Sequence, residues 1–132
     1  MGRTLILDTG VLIAYERGTI ERTAYDDDEL AVAAVTVAKF RVGIELADTP
    51  DRAAARSRRL DLLLADIDVL EYTKRTVNYH AQLLAHVRRA GAPRGAHDLI
   101  IASHAAETAR TVVSLDAKAR FGQLPGVTAI TP

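Results

Sequence analysis

The stretch AVAAVTVAKFRVGIELADTP (residues 31–50) decides between fold classes. Its first five residues, AVAAV, are apolar without alternation, the pattern of a strand covered on both faces. From Thr36 the spacing becomes helical and predicts a helix over 36–48 that stops near DTP. A doubly covered strand running straight into a helix is the building unit of a parallel sheet with helical crossovers. Lys39 stands out in this reading. At about 100° per residue, Val42, Gly43 and Leu46 share its side and Phe40 and Ile44 widen the arc, while Arg41, Glu45 and Asp48 fall opposite. The expectation is an inward-facing ammonium. Because an unpaired buried charge is costly, carboxylates are its expected partners.

Working outward, RTLILD (3–8) reads as a buried strand and TGVLIAYERG (9–18) as a helix stopped by Gly18. AYDDDEL (24–30) is a polar loop, and DRAAARSRRLDLLLAD (51–66) a strongly amphipathic helix. VLEY (69–72) is a short strand. Two further helices follow, 74–91 and 96–109, the first ended by Gly91 and Pro93. RTVVSL (110–115) is a strand, DAKARFG (116–122) a short helix, and VTAI (127–130) the last strand. Strands alternating with helices predict a single α/β domain over 1–132, with a mainly parallel sheet of about four to five strands flanked by helices.

The chain has 132 residues, enough for a real core. It has no cysteine, which excludes disulfides, thiolate zinc sites and cysteine nucleophiles. Leu5-Ile6-Leu7 is too short for a signal peptide or membrane span, so a cytoplasmic location is expected. The formal net charge is zero, unlike a strongly basic nucleic-acid binder. Residues 1–50 nevertheless hold nine acids against five bases, and residues 51–132 eight against twelve. A neutral chain of this kind accommodates an acidic centre with a basic rim.

Three aspartates fit such a centre. Asp8 ends the first strand, and Asp116 follows the strand before a short helix. In a parallel sheet these strand ends share the edge where open α/β folds bind ligands. Asp98 heads a helix whose same-side neighbours are Ile101, Ala102, Ala105 and Ala109, so it faces the interior. Each alone is explicable as a helix cap. Together, clustered carboxylates repel one another and call for a cation, and hard oxygen donors favour Mg²⁺ or Mn²⁺.

The blocks LILDTGVLIAY, AVTVAKFRVGIELA, APRGAHDLIIASHA and TVVSLDAKARFGQLPGV, in this order, resemble the successive blocks of bacterial PIN-domain proteins, specifically VapC-type toxins. The resemblance implies a PIN-like three-layer fold and a Mg²⁺- or Mn²⁺-dependent endoribonuclease. It also implies a cognate VapB-type antitoxin and a homodimer. Matched residue by residue, it makes Asp8, Asp98 and Asp116 the metal-binding acids, with Thr9 and Ser114 as supporting hydroxyls. It also places Lys39 where the family carries a glutamate. Glu45 does not replace that residue, lying about 120° around and about 9 Å along the helix. A lysine there implies weakened metal binding and weakened RNA cleavage.

Arg88, Arg89 and Arg94, with His86, form a basic stretch suited to holding RNA phosphates. His97 reads as structural or substrate-facing rather than as a ligand, and His80 and His104 as surface or packing residues. YDDDE (25–29) reads as a solvated turn. The competing functional reading is a catalytically inactive protein of the same fold that binds antitoxin or RNA. A haloacid-dehalogenase-type phosphatase would need a second aspartate where Gly10 stands.

Overall fold

The computed structural model describes residues 2–132. Five strands, β1 (Thr4–Leu7), β2 (Glu29–Ala33), β3 (Asp68–Leu70), β4 (Thr111–Val113) and β5 (Thr128–Ile130), form one sheet in the order β3-β2-β1-β4-β5. Every pairing is parallel. Five α-helices connect or flank them: α1 (Thr9–Arg17), α2 (Ala34–Glu45), α3 (Pro50–Leu63), α4 (Lys74–Ala90) and α5 (Ala96–Thr108). The expected parallel α/β architecture is thus present, with five strands.

Alternation within β1 builds a core on each face of the sheet. Ile6 joins Leu83 of α4, Leu99, Ile101 and Ala102 of α5, and Phe121. Leu5 and Leu7 point the other way, onto Val11 and Leu12 of α1, Tyr25 and Ile67, with Val37 and Phe40 of α2 against them. Both faces of β1 are therefore sealed from water, as the unbroken apolar run LIL requires.

Several boundaries differ from the sequence reading. Glu29 and Leu30 belong to β2 rather than to the preceding loop, because parallel pairing with Thr4 and Leu5 takes them into the ladder. The helix after β2 starts at Ala34, two residues early. The segment 116–122 forms two 3-10 turns, Ala117–Ala119 and Phe121–Gln123, instead of one helix. Arg120 between them has φ 47°, a left-handed conformation that breaks an α-helix.

The larger correction concerns α2. Its buried positions are Thr36 and Ile44, with Val37 and Phe40 packed against the core. Lys39 is exposed, and on its side of the helix Val42 and Leu46 are 52% and 77% exposed. The apolar arc read from the sequence is therefore partly an open surface. α2 packs on α3 along the flank formed by Phe40, Gly43 and Ile44, where Arg56 of α3 donates to the Gly43 carbonyl.

Removing side-chain volume from the sealed face has a defined cost. Ile101→Ala, at a fully buried position, is expected to lower unfolding free energy by about 2–5 kcal/mol in urea titrations. Leu46→Ala is expected to change it by no more than about 0.5 kcal/mol.

Candidate active site

Strand order reverses direction at the β1–β4 pair, which makes their C-terminal ends the switch point of the sheet. Asp8 extends that pairing by one residue, its N–H donating to the Val113 carbonyl at 3.0 Å. This brings Asp8 beside Ser114, whose hydroxyl donates to Asp8 Oδ2 at 2.9 Å. The other carboxylate oxygen, Oδ1, accepts the Thr9 N–H at 2.6 Å and caps α1. Asp8 is 7% exposed, so both bonds are made in a site largely shielded from water.

Asp116 leaves β4 two residues beyond Ser114 and is tied to it by its own N–H, 3.0 Å from Ser114 Oγ. Its carboxylate accepts from the Lys118 N–H at 2.9 Å and remains exposed. One serine hydroxyl thus links two of the three acids. Asp98 enters from the first turn of α5, half-buried. An open cleft of about 470 Å³ is lined by Asp8, Thr9, Gly10, Lys39, His97, Asp98, Leu115 and Asp116. The sheet edge and the α5 turn therefore bring the three aspartates of the sequence reading to one cavity.

The electrostatics of the cleft follow from that gathering. Burial raises the Asp98 carboxyl above the ordinary aspartate range, and the negative charges of Asp8 and Asp116 raise it further. Lys39 and Arg94 pull in the opposite direction. His97 is held below the ordinary histidine value, chiefly by burial and then by the Lys39 charge, with Asp8 opposing.

Lys39 lines the cleft but does not bury its charge. It is exposed and makes no ion pair within 4.0 Å among the described residues, so the expected direct pairing with the aspartates is absent. Thr36, one turn earlier on nearly the same side, is fully buried, whereas Lys39 and then Val42 and Leu46 are exposed, so this side of α2 leaves the interior after its first turn. Lys39 then acts on Asp98 and His97 through space, from the solvent side.

The basic stretch also divides. Arg88 and Arg89 lie exposed at the end of α4, beside Ala81, Leu84 and Ala85, and line none of the acidic cleft. Arg94 is near Asp98, yet its guanidinium donates to the Ala119 and Arg120 carbonyls, the latter at 2.8 Å, and fastens the turn after Asp116. Helix direction explains both. α4 ends before the chain doubles back, and only the Arg94 segment passes the Asp116 turn. Two contributors escape the sequence reading: Thr36, and His97 as its partner. Their only sequence signals are that Thr36 precedes Lys39 by one helical turn and His97 directly precedes Asp98.

Three hard oxygen donors suit Mg²⁺ or Mn²⁺ chemically. Among the described residues, however, no three His, Cys, Asp or Glu side chains are spaced to share one ion directly. The donors therefore fit an ion that binds one or two carboxylates and keeps several waters, which is how Mg²⁺ is usually held.

A PIN-domain family model matches residues 5–125. Ribonuclease VapC5 of Mycobacterium tuberculosis is 35% identical over 84% of this chain and 82% of its own length. The solved structure of VapBC-5 from the same organism, a member of the VapBC family of toxin-antitoxin systems, aligns with TM-score 0.73 at 28% identity. It covers 97% of this chain and 96% of that one. VapBC2 of Rickettsia felis, solved bound to a DNA fragment from its promoter, shares the fold with TM-score 0.81 at 18% identity, over 97% and 98% of the two chains. The chain belongs to the PIN-domain family, in its VapC-type branch.

A carboxyl with raised proton affinity destabilises the folded state wherever it is ionised. For Asp98 the cost is fully present above its folded pKa. It is relieved as pH falls through that value toward the ordinary aspartate range, and is absent below it. Asp98→Asn is expected to raise the melting temperature at pH 7 in metal-free buffer, with the gain shrinking toward pH 4. Equal melting temperatures at pH 7 would show that neither burial nor repulsion penalises the Asp98 carboxylate.

Proposed function

We propose that this chain is a metal-dependent endoribonuclease, the toxin of a VapC-type toxin–antitoxin pair, working below its potential because of Lys39. The observation carrying this reading is the meeting of Asp8, Asp98 and Asp116 in one open cleft at the switch point of a PIN fold.

Bound among these carboxylates, Mg²⁺ or Mn²⁺ would polarise a phosphoryl oxygen and make water a better nucleophile near neutral pH. Asp8, fixed by the Thr9 N–H and the Ser114 hydroxyl, offers an oriented oxygen with no freedom to swing away. Asp116, anchored through the same serine, holds the opposite wall. Asp98 lines the same cleft from the first turn of α5, where its carboxylate would help hold the ion or orient the attacking water. Lys39 supplies positive charge at the rim, where an RNA backbone would lie.

Two partners belong to this reading. VapBC-5 and VapBC2 support a VapB-type antitoxin that keeps the toxin silent. The exposed Val42, Leu46 and Leu62 supply apolar surface for it or for a homodimer.

The effect of Lys39 is twofold. It removes the carboxylate that the family carries at this position, and it adds a cation beside the metal. Because the ammonium is exposed, the repulsion is that of a water-like dielectric: at roughly 6 Å from a divalent ion, about 1.4 kcal/mol. That alone lowers metal affinity about tenfold. The protein as written is therefore expected to cleave RNA weakly, and Lys39→Glu to raise Mg²⁺-dependent cleavage by at least about tenfold. Adding Asp98→Asn should abolish the gain. Equal rates for the native chain and its Lys39→Glu variant would make the lysine a bystander. No cleavage by either would leave the same fold as a protein that binds antitoxin or RNA without cutting.

A further inference from the structure

His97 lines the cleft yet plays no part in the chemistry above. Its Nε2 lies 3.1 Å from the Thr9 hydroxyl and 3.2 Å from the Thr36 hydroxyl. These two threonines and the histidine come from three separate segments. Each sits next to a group of the cleft: Thr9 follows Asp8, Thr36 lies one helical turn before Lys39, and His97 immediately precedes Asp98.

The starts of the two helices explain why such a link is needed. The N-cap residues of α2 and α5 are Ala33 and Gly95, and neither makes a side-chain bond to its own helix. Both first turns thus lack the local capping interaction that is typically worth about 1 kcal/mol. By contrast, α1 is capped by Asp8 itself. α2 and α5 carry Lys39 and Asp98, so whatever holds their first turns also places two groups of the cleft. Nε2 faces both hydroxyls, and which group donates in each contact follows the ring tautomer. Nδ1 is a buried atom without a protein partner among the described residues, so the polar contacts of the ring all lie on its Nε2 side.

We propose that His97 is a positioning residue: through Nε2 it ties the first turns of α5 and α2 to the β1–α1 junction, and so sets Asp98 against Asp8. Its consequence for catalysis rests on the nuclease reading; the tie itself does not.

The test compares the full chain with His97→Gln, His97→Asn and His97→Ala by amide hydrogen exchange. The same variants in the Lys39→Glu background are assayed for RNA cleavage. Glutamine carries its terminal amide about where Nε2 sits, whereas asparagine reaches only the Nδ1 position. Expected is near-native exchange at the early α5 amides, from Leu99 onward, in the glutamine variant. The asparagine and alanine variants should exchange about tenfold faster there, the scale of two net hydrogen bonds, with β1 and β4 unchanged. In the cleavage assay kcat should fall for asparagine and alanine, be rescued by glutamine, and KM should stay in place. Unchanged exchange at α5 in the alanine variant overturns the proposal, as does a glutamine variant no better than alanine. Uniform acceleration through the sheet also overturns it, since it would mean general destabilisation. The expected exchange pattern in proteins that cut no RNA would uphold the tie and sink the nuclease reading instead.

Discussion

Three carboxylates gathered at one sheet edge repel one another, and the rest of the molecule is arranged to hold them there. The restraint begins in the backbone: the Asp8 N–H reaches the Val113 carbonyl and locks the ends of β1 and β4 in register. Ser114 then binds Asp8 with its hydroxyl and receives the Asp116 N–H. Asp98 arrives on a helix whose inner face, Leu99, Ile101, Ala102 and Ala105, is buried against the sheet. Apolar burial on both faces of β1 offsets the repulsion within the chain itself.

Much of this arrangement can be read from residue order. The unbroken apolar runs at 5–7 and 31–33 announce strands covered on both sides, and an aspartate placed straight after a strand is positioned by the strand's own end. The small residues one and two turns after Asp98 mark the buried side of α5. Lys39 defeats the same reasoning for a physical reason. Helical periodicity shows which residues share a side, but not which side the tertiary structure covers. Val42 and Leu46 are apolar and exposed, whereas Thr36 is polar and fully buried. The role of Thr36 depends on His97, sixty-one residues away in sequence. No local pattern records a contact of that range. Arg94 reads as a phosphate contact because it is basic; its carbonyl bonds to the Asp116 turn depend on the φ 47° conformation of Arg120.

The exposed position of Lys39 changes the energetics more than the identity of the site. A buried ammonium would have neutralised an aspartate directly. An exposed one leaves the acids in mutual repulsion and biases the cleft from outside, where salt screens it. The cleft therefore retains a demand for a cation while presenting a weak competitor at its rim. The tie from His97 to Thr9 and Thr36 lies in the same cleft as that competitor.

The central claim, that the three aspartates call for a divalent ion and Lys39 opposes it, is tested most directly by calorimetric titration of Mn²⁺. The purified chain and its Lys39→Glu variant are compared at the same ionic strength. The expected result is measurable binding by both, at least about tenfold tighter in the variant. Equal affinities, or no binding by either, would contradict it.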